Sequence, residues 1–340
     1  MRYIWPMNEL APLVGEDPAF LEVIERVSRL APLDRPCLVV GERGTGKELI
    51  TSRLHYLSRR WEGPLLKVNC ATLSETLLES ELFGHEAGAF TGAQRRHIGR
   101  FERADGGTLV LDEIAVASPA VQEKVLRVIE YGEFERVGGS ETLTVDVRVI
   151  GATNEDLPAK AQAGEFRADL LDRLAFDVIT LPPLCRRPAD ILPLAHHFAM
   201  EFTRELNRPL FPGFSKRAEK ALTGYPWPGN VRELRNVVER AVAMHRNDEL
   251  PVDEILFDPF DSPWRPGQPE NREELPDAGP DSPVNFFAAV ADYERRLLEQ
   301  ALAAARYNQT RAAQLLEMSY HQLRRQIKKH NLSAGPQRTE

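Results

Sequence analysis

The chain has 340 residues, 42% of them apolar, and a formal net charge of −8. That length accommodates two or three domains with a real core. The lack of any apolar run of about 18 residues excludes a membrane-spanning helix, and the opening MRYIWPMNEL lacks the apolar segment of a secretory signal. Three cysteines, Cys37, Cys70 and Cys185, are odd in number and lack metal-ligand spacing, which predicts free thiols in a reducing cytoplasm. The charge is uneven. Residues 287–340 hold nine Lys/Arg and five Asp/Glu, a net of +4 that leaves −12 on the rest. An acidic body with a basic tail predicts DNA contact confined to the tail, and so a nucleoid association.

In chain order, Phe20, Val23, Ile24, Val27 and Leu30 predict a helix over 18–30. The apolar run Cys37–Val40 then enters Gly41, Glu42, Arg43, Gly44, Thr45, Gly46, Lys47 and Glu48, and Leu49-Ile50-Thr51 can continue a helix. A short strand, a Gly-rich turn with G-x4-G-K spacing and a helix start form a phosphate loop. Its backbone N–H groups and the helix N-terminus face the phosphates, and Lys47 reaches the β/γ-phosphates as a point charge. Glu48 stands where Ser or Thr commonly holds Mg2+, so the metal must be held some other way.

Leu65–Cys70, Gly107–Ile114, Val147–Asn154 and Phe176–Leu181 are further strand-like runs, separated by helical patterns such as Leu73–Leu82. Strands alternating with helices predict an α/β domain with a mostly parallel sheet, whose ligands sit beyond the carboxyl ends of the strands. Asp112 and Glu113 end the most apolar run. One carboxylate suits Mg2+ and the other can polarise an attacking water, though an acidic strand end is the plainer alternative. Asn154 could hold the water or the γ-phosphate, and Asn69 could hydrogen-bond Glu113; either could instead be a turn residue. Over Phe166–Phe176, Leu170, Leu171 and Leu174 share a helical face, with Arg167 and Arg173 away from it. These arginines are either solvated or, in a ring, able to reach a neighbour's γ-phosphate.

Gly88, Ala89, Phe90, Thr91, Gly92 and Ala93 spell GAFTGA. An apolar aromatic between two glycines suits a contact surface on a moving loop, or a plain turn with the ring tucked in. Residues 189–248 read as helices only. There Asn230 is predicted to cap a helix with Glu233 in the capping-box position, and Arg232 could report the nucleotide. Residues 258–286, with seven prolines and seven acids, predict an extended linker. In the tail, Phe287, Val290, Leu297, Leu298, Ala301 and Leu302 form a helical stripe. Asn308–Asn331 then reads as helix, turn, helix, with Ala312, Ala313, Leu315 and Leu316 packing the first. Ser319 and Gln322 form a capping box for the second. Ser319, Tyr320, His321, Gln322, Arg324, Arg325, Lys328 and Lys329 suit a recognition helix in the DNA major groove, or a solvated basic hairpin. Glu317 stands where such turns often hold Gly.

Together these residues resemble the AAA+ bacterial enhancer-binding proteins that activate the sigma-54 form of RNA polymerase, over about Pro12 to Leu332. GAFTGA is the most specific motif; in that family it contacts sigma-54. Glu after the phosphate-loop lysine is common there. The resemblance implies Asn69 as a switch for the catalytic Glu113, Asn154 as sensor I, Arg167 and Arg173 as trans-acting arginine fingers, and Arg232 as sensor II. It implies ATP with Mg2+ held at Asp112, a ring oligomer, most simply a hexamer, and a tail of factor-for-inversion type. The expected fold is an α/β AAA+ subdomain over 1–184, a helical lid over 185–257, the linker over 258–286 and an all-α helix-turn-helix domain over 287–340. Most family members begin with a sensing domain. This chain starts its ATPase within about 15 residues, so control is expected from a trans-acting inhibitory protein. Two other readings are an AAA+ unfoldase partner, which has no need of the tail, and a DNA-binding regulator independent of sigma-54, which has no need of GAFTGA.

Overall fold

The computed structural model describes residues 12–262 except 91 and 248, residue 265, residues 286–330 except 306, and residue 332. The expectations for residues 1–11, for Thr91, for most of the 258–286 linker and for 333–340 lie outside the described residues. Two compact units, Met1–Asp261 and Ser262–Glu340, make up the chain.

Seven strands occur among the described residues: β1 (Cys37–Val40), β2 (Leu65–Asn69), β3 (Thr108–Asp112), β4 (Glu133–Glu135), β5 (Thr142–Thr144), β6 (Arg148–Thr153) and β7 (Val178–Thr180). Five form one sheet in the order β2-β3-β6-β1-β7, with every neighbouring pair parallel. These are the five runs predicted from sequence. Their alternate residues feed two cores: Leu38, Leu109, Leu111 and Val149 on one face, Cys37, Val39, Val110, Ile150 and Ala152 on the other. Each fully buried Leu or Ile contributes about 2 kcal/mol of transfer free energy.

Helices α1 (Pro18–Leu30), α2 (Lys47–Tyr56), α3 (Glu75–Phe83), α4 (Arg100–Arg103), α5 (Pro119–Tyr131), α6 (Leu157–Gln162) and α7 (Ala168–Leu174) accompany the sheet. Helix α1 starts where predicted, with Asp17 accepting from the Ala19 N–H and Pro18 at the first position. Its carbonyl end is met by Arg148, a buried β6 residue that donates to the Ala31, Leu30 and Arg35 carbonyls. A guanidinium there satisfies acceptors that the helix leaves open.

The antiparallel pair β4–β5 has no counterpart in the sequence reading. Its strands are three residues long and mostly polar, so neither period stands out. Val137, just beyond β4, bonds the Gly84 carbonyl and the Glu86 N–H, which anchors the base of the GAFTGA loop.

Three helices, α8 (Ile191–Glu205), α9 (Lys216–Gly224) and α10 (Asn230–Met244), pack around Trp227, Leu222, Leu234 and Val238. The Trp227 indole N–H donates to the Leu222 carbonyl at 2.9 Å. Asn230 does not cap α10 as expected. The capping position is Gly229, whose N–H reaches Glu233 Oε2 at 2.7 Å, and the Asn230 side chain points elsewhere.

The second unit has α11 (Phe286–Ala304), α12 (Gln309–Leu315) and α13 (Tyr320–Lys329). Its core is Leu298, Leu302, Ala305, Ala312, Ala313, Leu323 and Ile327. The predicted stripe on α11 divides. Leu298, Ala301 and Leu302 are buried, whereas Phe287 is 82% exposed and Val290 and Leu297 remain open, because the two short helices cover only the last turns of a 19-residue helix. Leu315 is also exposed, contrary to its predicted packing role. Ser319 and Gln322 form the capping box expected of them. Glu317 takes φ +50°, so the turn does demand a left-handed residue there.

His55 is buried on α2, its Nδ1 2.9 Å from Thr108 Oγ1. Burial first, and the Arg148 charge second, push its pKa down to about 4. The unfolded chain takes up the proton nearer 6.5, so folding is weakened as pH falls from about 6.5 to about 4 and is unaffected above that window. The melting temperature of the wild type is therefore expected to fall more steeply across this window than that of His55→Gln. Thermal melts at several pH values check it; parallel slopes would refute it.

Candidate active site

Parallel pairing sets Asn69, Asp112 and Ala152 side by side at the carboxyl ends of β2, β3 and β6, with Val40 opposite Thr153. Residues far apart in the chain thereby meet at one edge. The phosphate loop leaves β1 and closes on itself: Thr45 Oγ1 donates to the Glu42 carbonyl at 2.8 Å, and Gly41 N–H to the Thr153 carbonyl at 3.2 Å. Lys47 opens α2 with its ammonium folded back onto the Gly41 carbonyl at 2.8 Å. Burial lowers the Lys47 pKa, while Glu113 and Asp112 oppose that shift. The ammonium and the carboxylate pair thus share one field.

Asp112 Oδ2 accepts from Asn69 Nδ2 at 3.2 Å, and its Oδ1 from the Glu113 N–H at 3.1 Å. Glu113 takes φ +52°, a left-handed conformation that a glutamate holds only under constraint. Its carboxylate meets Asn154, whose amide nitrogen, facing it, donates at 2.6 and 3.0 Å. The expected Asn69–Glu113 bond is therefore replaced by two others. Asn69 bonds Asp112 because β2 and β3 are in register, and Asn154 holds Glu113.

Oxygen donors suit a hard cation such as Mg2+. Among the described residues no group of three or more His, Cys, Asp or Glu could hold a metal by itself. Asp112 and Glu113 would supply a minority of ligands, leaving the rest to phosphates and water, which is how Mg2+ is commonly held in ATPases. Glu48 also lines this site, exposed and paired with Lys67 at 2.9 Å.

A crevice of about 670 Å³ joins these groups, within the range of nucleotide-sized sites. Lys47, Asn69, Asp112, Glu113 and Arg232 line its polar part; Leu13, Val14, Phe20, Leu194 and Phe198 line an apolar part. Asn154 reaches the site only through Glu113. Arg167 and Arg173 do not line the crevice. Arg167 pairs with Asp169 at 2.8 Å and Arg173 with Glu130 at 2.7 Å, both on the surface.

Sequence reasoning missed Arg187. Fully buried, it donates to the Thr45 carbonyl at 3.0 Å and lies over the Phe20 ring. Nearby Asp190 accepts from the Glu16 and Asp17 N–H groups at 2.6 and 2.8 Å. No periodicity marks a lone buried arginine, so a single sequence carries no signal for it.

In the GAFTGA loop, Gly88 and Gly92 take φ +86° and +108°, and Gly88 N–H bonds the Ala93 carbonyl at 2.7 Å. Phe90 is half-buried, edge-on to His85 at 4.9 Å, and Ala93 is buried, while Ala89 packs under Gly138 of the β4–β5 turn. Buried Arg136 holds Glu86 and Glu102 at 3.0 and 2.5 Å beneath it. On the second unit, Tyr320, His321, Arg324, Arg325 and Lys328 are exposed along α13. Ser319 and Gln322 are engaged in the cap, and Lys329 pairs with Glu294 at 2.8 Å.

Known families match along most of the chain. The Sigma-54 interaction domain matches residues 13–180, the AAA+ ATPase lid domain residues 186–262, and the bacterial regulatory protein, Fis family, residues 289–330. The chain is 58% identical to the Psp operon transcriptional activator of Escherichia coli K12, over 94% of this chain and 98% of that protein. It is 44% identical to the Nif-specific regulatory protein of Azotobacter vinelandii, over 94% of this chain and 59% of that protein. Among solved structures, NtrX from Brucella abortus in complex with ATP is similar at TM-score 0.66 and 32% identity, over 94% of this chain and 70% of that one.

Gly44 tests how tightly the loop is enclosed. It takes φ +80°, and a Cβ there would lie 2.3 Å from the Gly229 carbonyl oxygen. Gly106, at φ +73°, has open space around the same position. Gly44→Ala is expected to cost about 2 kcal/mol or more, and Gly106→Ala about 1 kcal/mol from backbone strain alone. Urea unfolding of both variants measures the difference; equal losses would show that the close approach relaxes without cost.

Proposed function

The chain belongs to the family of sigma-54-dependent, enhancer-binding transcriptional activators, AAA+ ATPases with a helix-turn-helix tail, and we propose that its ATP site is the crevice where Lys47, Asp112, Glu113 and Arg232 converge. That convergence at the carboxyl edge of a parallel sheet is the observation that carries the assignment. Phosphates are received by the loop 41–48 and the start of α2, with Lys47 released from its carbonyl partner toward them. Asp112 would hold Mg2+, which would supply neutralisation of phosphate charge when bound. Glu113 orients the attacking water and takes its proton at the carboxylate, and Asn154 fixes that carboxylate through its amide. Asn69, bonded to Asp112, keeps the first carboxylate aimed while Arg232 reads the nucleotide from α10.

Arg167 and Arg173 lie on the surface and outside their own crevice, which suits service to a neighbouring subunit's γ-phosphate in a ring, most simply a hexamer. Within that scheme residues 1–184 form the α/β subdomain, 185–257 the lid, 258–286 a linker and 287–340 the DNA-binding domain. Tyr320, His321, Arg324, Arg325 and Lys328 face DNA, with Ser319 and Gln322 fixing the start of the helix. Residues 88–93 touch sigma-54. Hydrolysis then works by differential contact with sigma-54 across nucleotide states. The kinship with the Psp operon transcriptional activator supports a phage-shock operon as the target; control by a trans-acting inhibitory protein and action on the nucleoid in the cytoplasm complete the proposal.

A native-gel assay with purified sigma-54, run without nucleotide, with ATP, and with ADP plus a metal fluoride that mimics the transferring phosphoryl group, tests this. A retarded complex formed only with the mimic, and lost in Phe90→Ala, is expected. Its absence in every nucleotide state, with ATPase activity intact, would refute the loop assignment. In the same preparations Lys47→Ala is expected to lose ATP binding, and Glu113→Ala to bind ATP with turnover reduced by about 100-fold or more.

A further inference from the structure

Beyond its bonds to the sheet edge, the phosphate loop is gripped by the start of α10. The N–H groups of Val231 and Arg232 both reach the Gly44 carbonyl, at 3.0 and 3.3 Å. Beside them Asn230 is fully buried. Its Oδ1 accepts from the Leu184 N–H at 2.7 Å; its Nδ2 donates to Glu42 Oε2 at 2.9 Å and to the Arg43 carbonyl at 3.1 Å. One amide therefore joins the tip of the phosphate loop, the connection that follows the last strand, and the first turn of the helix carrying Arg232.

The backbone at this point is constrained. Asn230 takes φ +54°, three residues after Trp227 at φ +52°. Left-handed non-glycine residues persist where surroundings over-determine them, and they gather at functional positions. A residue that only plugged the interior would bond within its own helical unit. Two of the three Asn230 side-chain bonds instead run to the loop, one of them to the carboxylate of a solvent-facing glutamate.

We propose that Asn230 is a positioning residue for ATP hydrolysis. It ties Arg232 and the Leu184 connection to the tip of the phosphate loop, so that a shift of the loop on nucleotide binding moves α10 with it. This rests on the crevice being the ATP site. Asn230 touches no reacting atom; it acts through Glu42, Arg43 and the helix that bears Arg232. The coupling runs through contiguous hydrogen bonds between elements that can move as rigid pieces.

Asn230→Asp tests it in the full-length protein. Aspartate tolerates the left-handed backbone and keeps an acceptor for Leu184, but sets a carboxylate against Glu42 and the Arg43 carbonyl. At one fixed pH, kcat is expected to fall about tenfold, while the Kd for a fluorescent ADP analogue changes less than about threefold. Adding Glu42→Gln supplies an N–H facing the new carboxylate, and is expected to bring kcat back to within about threefold of wild type. Arg232→Ala is expected to lower kcat by less than about twofold further in the Asn230→Asp background, because the two residues act as one unit.

A fall in kcat of less than about threefold, or one that Glu42→Gln leaves unrestored, overturns the proposal. A general packing loss would lower the melting temperature and would not be reversed by Glu42→Gln. If Asn230→Asp does not fold, Glu42→Ala breaks the same link from the exposed side, and a kcat within about twofold of wild type then overturns it. Undiminished turnover in Lys47→Ala overturns the site assignment itself, and this inference with it. Abolished turnover there, with Asn230→Asp fully active, overturns the coupling alone.

Discussion

Five strands running in one direction place five carboxyl ends along a single edge, and the meeting of Asn69, Asp112 and Glu113 with the phosphate loop depends on that alignment. The register sets Asn69 opposite Asp112 and Val40 opposite Thr153, so a one-residue slip would turn those side chains to the other face. The two cores feed this precision. Alternate residues of each central strand are locked on opposite sides of the sheet, and the strands cannot slide without unpacking both. The chemistry at the edge is then a matter of how each strand stops: β1 in a Gly-rich turn, β3 in a left-handed glutamate, β6 in Thr153-Asn154.

Two further contacts bind this edge to the helices beyond it. Arg187 reaches the Thr45 carbonyl, and the start of α10 holds Gly44. Both engage carbonyls of the phosphate loop and leave loop N–H groups free of these contacts. A loop held by its acceptors can still present donors to an anion.

Much of this was legible in the sequence because it is written in short-range patterns. The five sheet strands are apolar runs ending in polar residues; the phosphate loop is a fixed spacing; the capping box at Ser319 and Gln322 is a local signature. The rest depends on pairings that no window of residues contains. The sequence pairs Asn69 with Glu113, but strand order gives it Asp112 and gives Glu113 to Asn154. Asn230 has the form of a helix cap, and only the proximity of Glu42, 188 residues away, turns its amide into a link. The β4–β5 hairpin is too short and too polar for either period to show. On α11 the apolar stripe is real in sequence, yet Phe287 stays exposed because α12 and α13 are too short to cover it.

The strand order also imposes a sequence of events on synthesis. Strand β1 pairs only with β6 and β7, whose residues begin at Arg148 and end at Thr180. Until that later stretch has left the ribosome, the strand leading into the phosphate loop has no neighbour, although β2 and β3 can already pair with each other. More than a hundred residues are made in between, several seconds at about 5–20 residues per second. During that time Cys37–Val40, among the most apolar segments of the chain, is without its sheet neighbours and is open to capture by a chaperone.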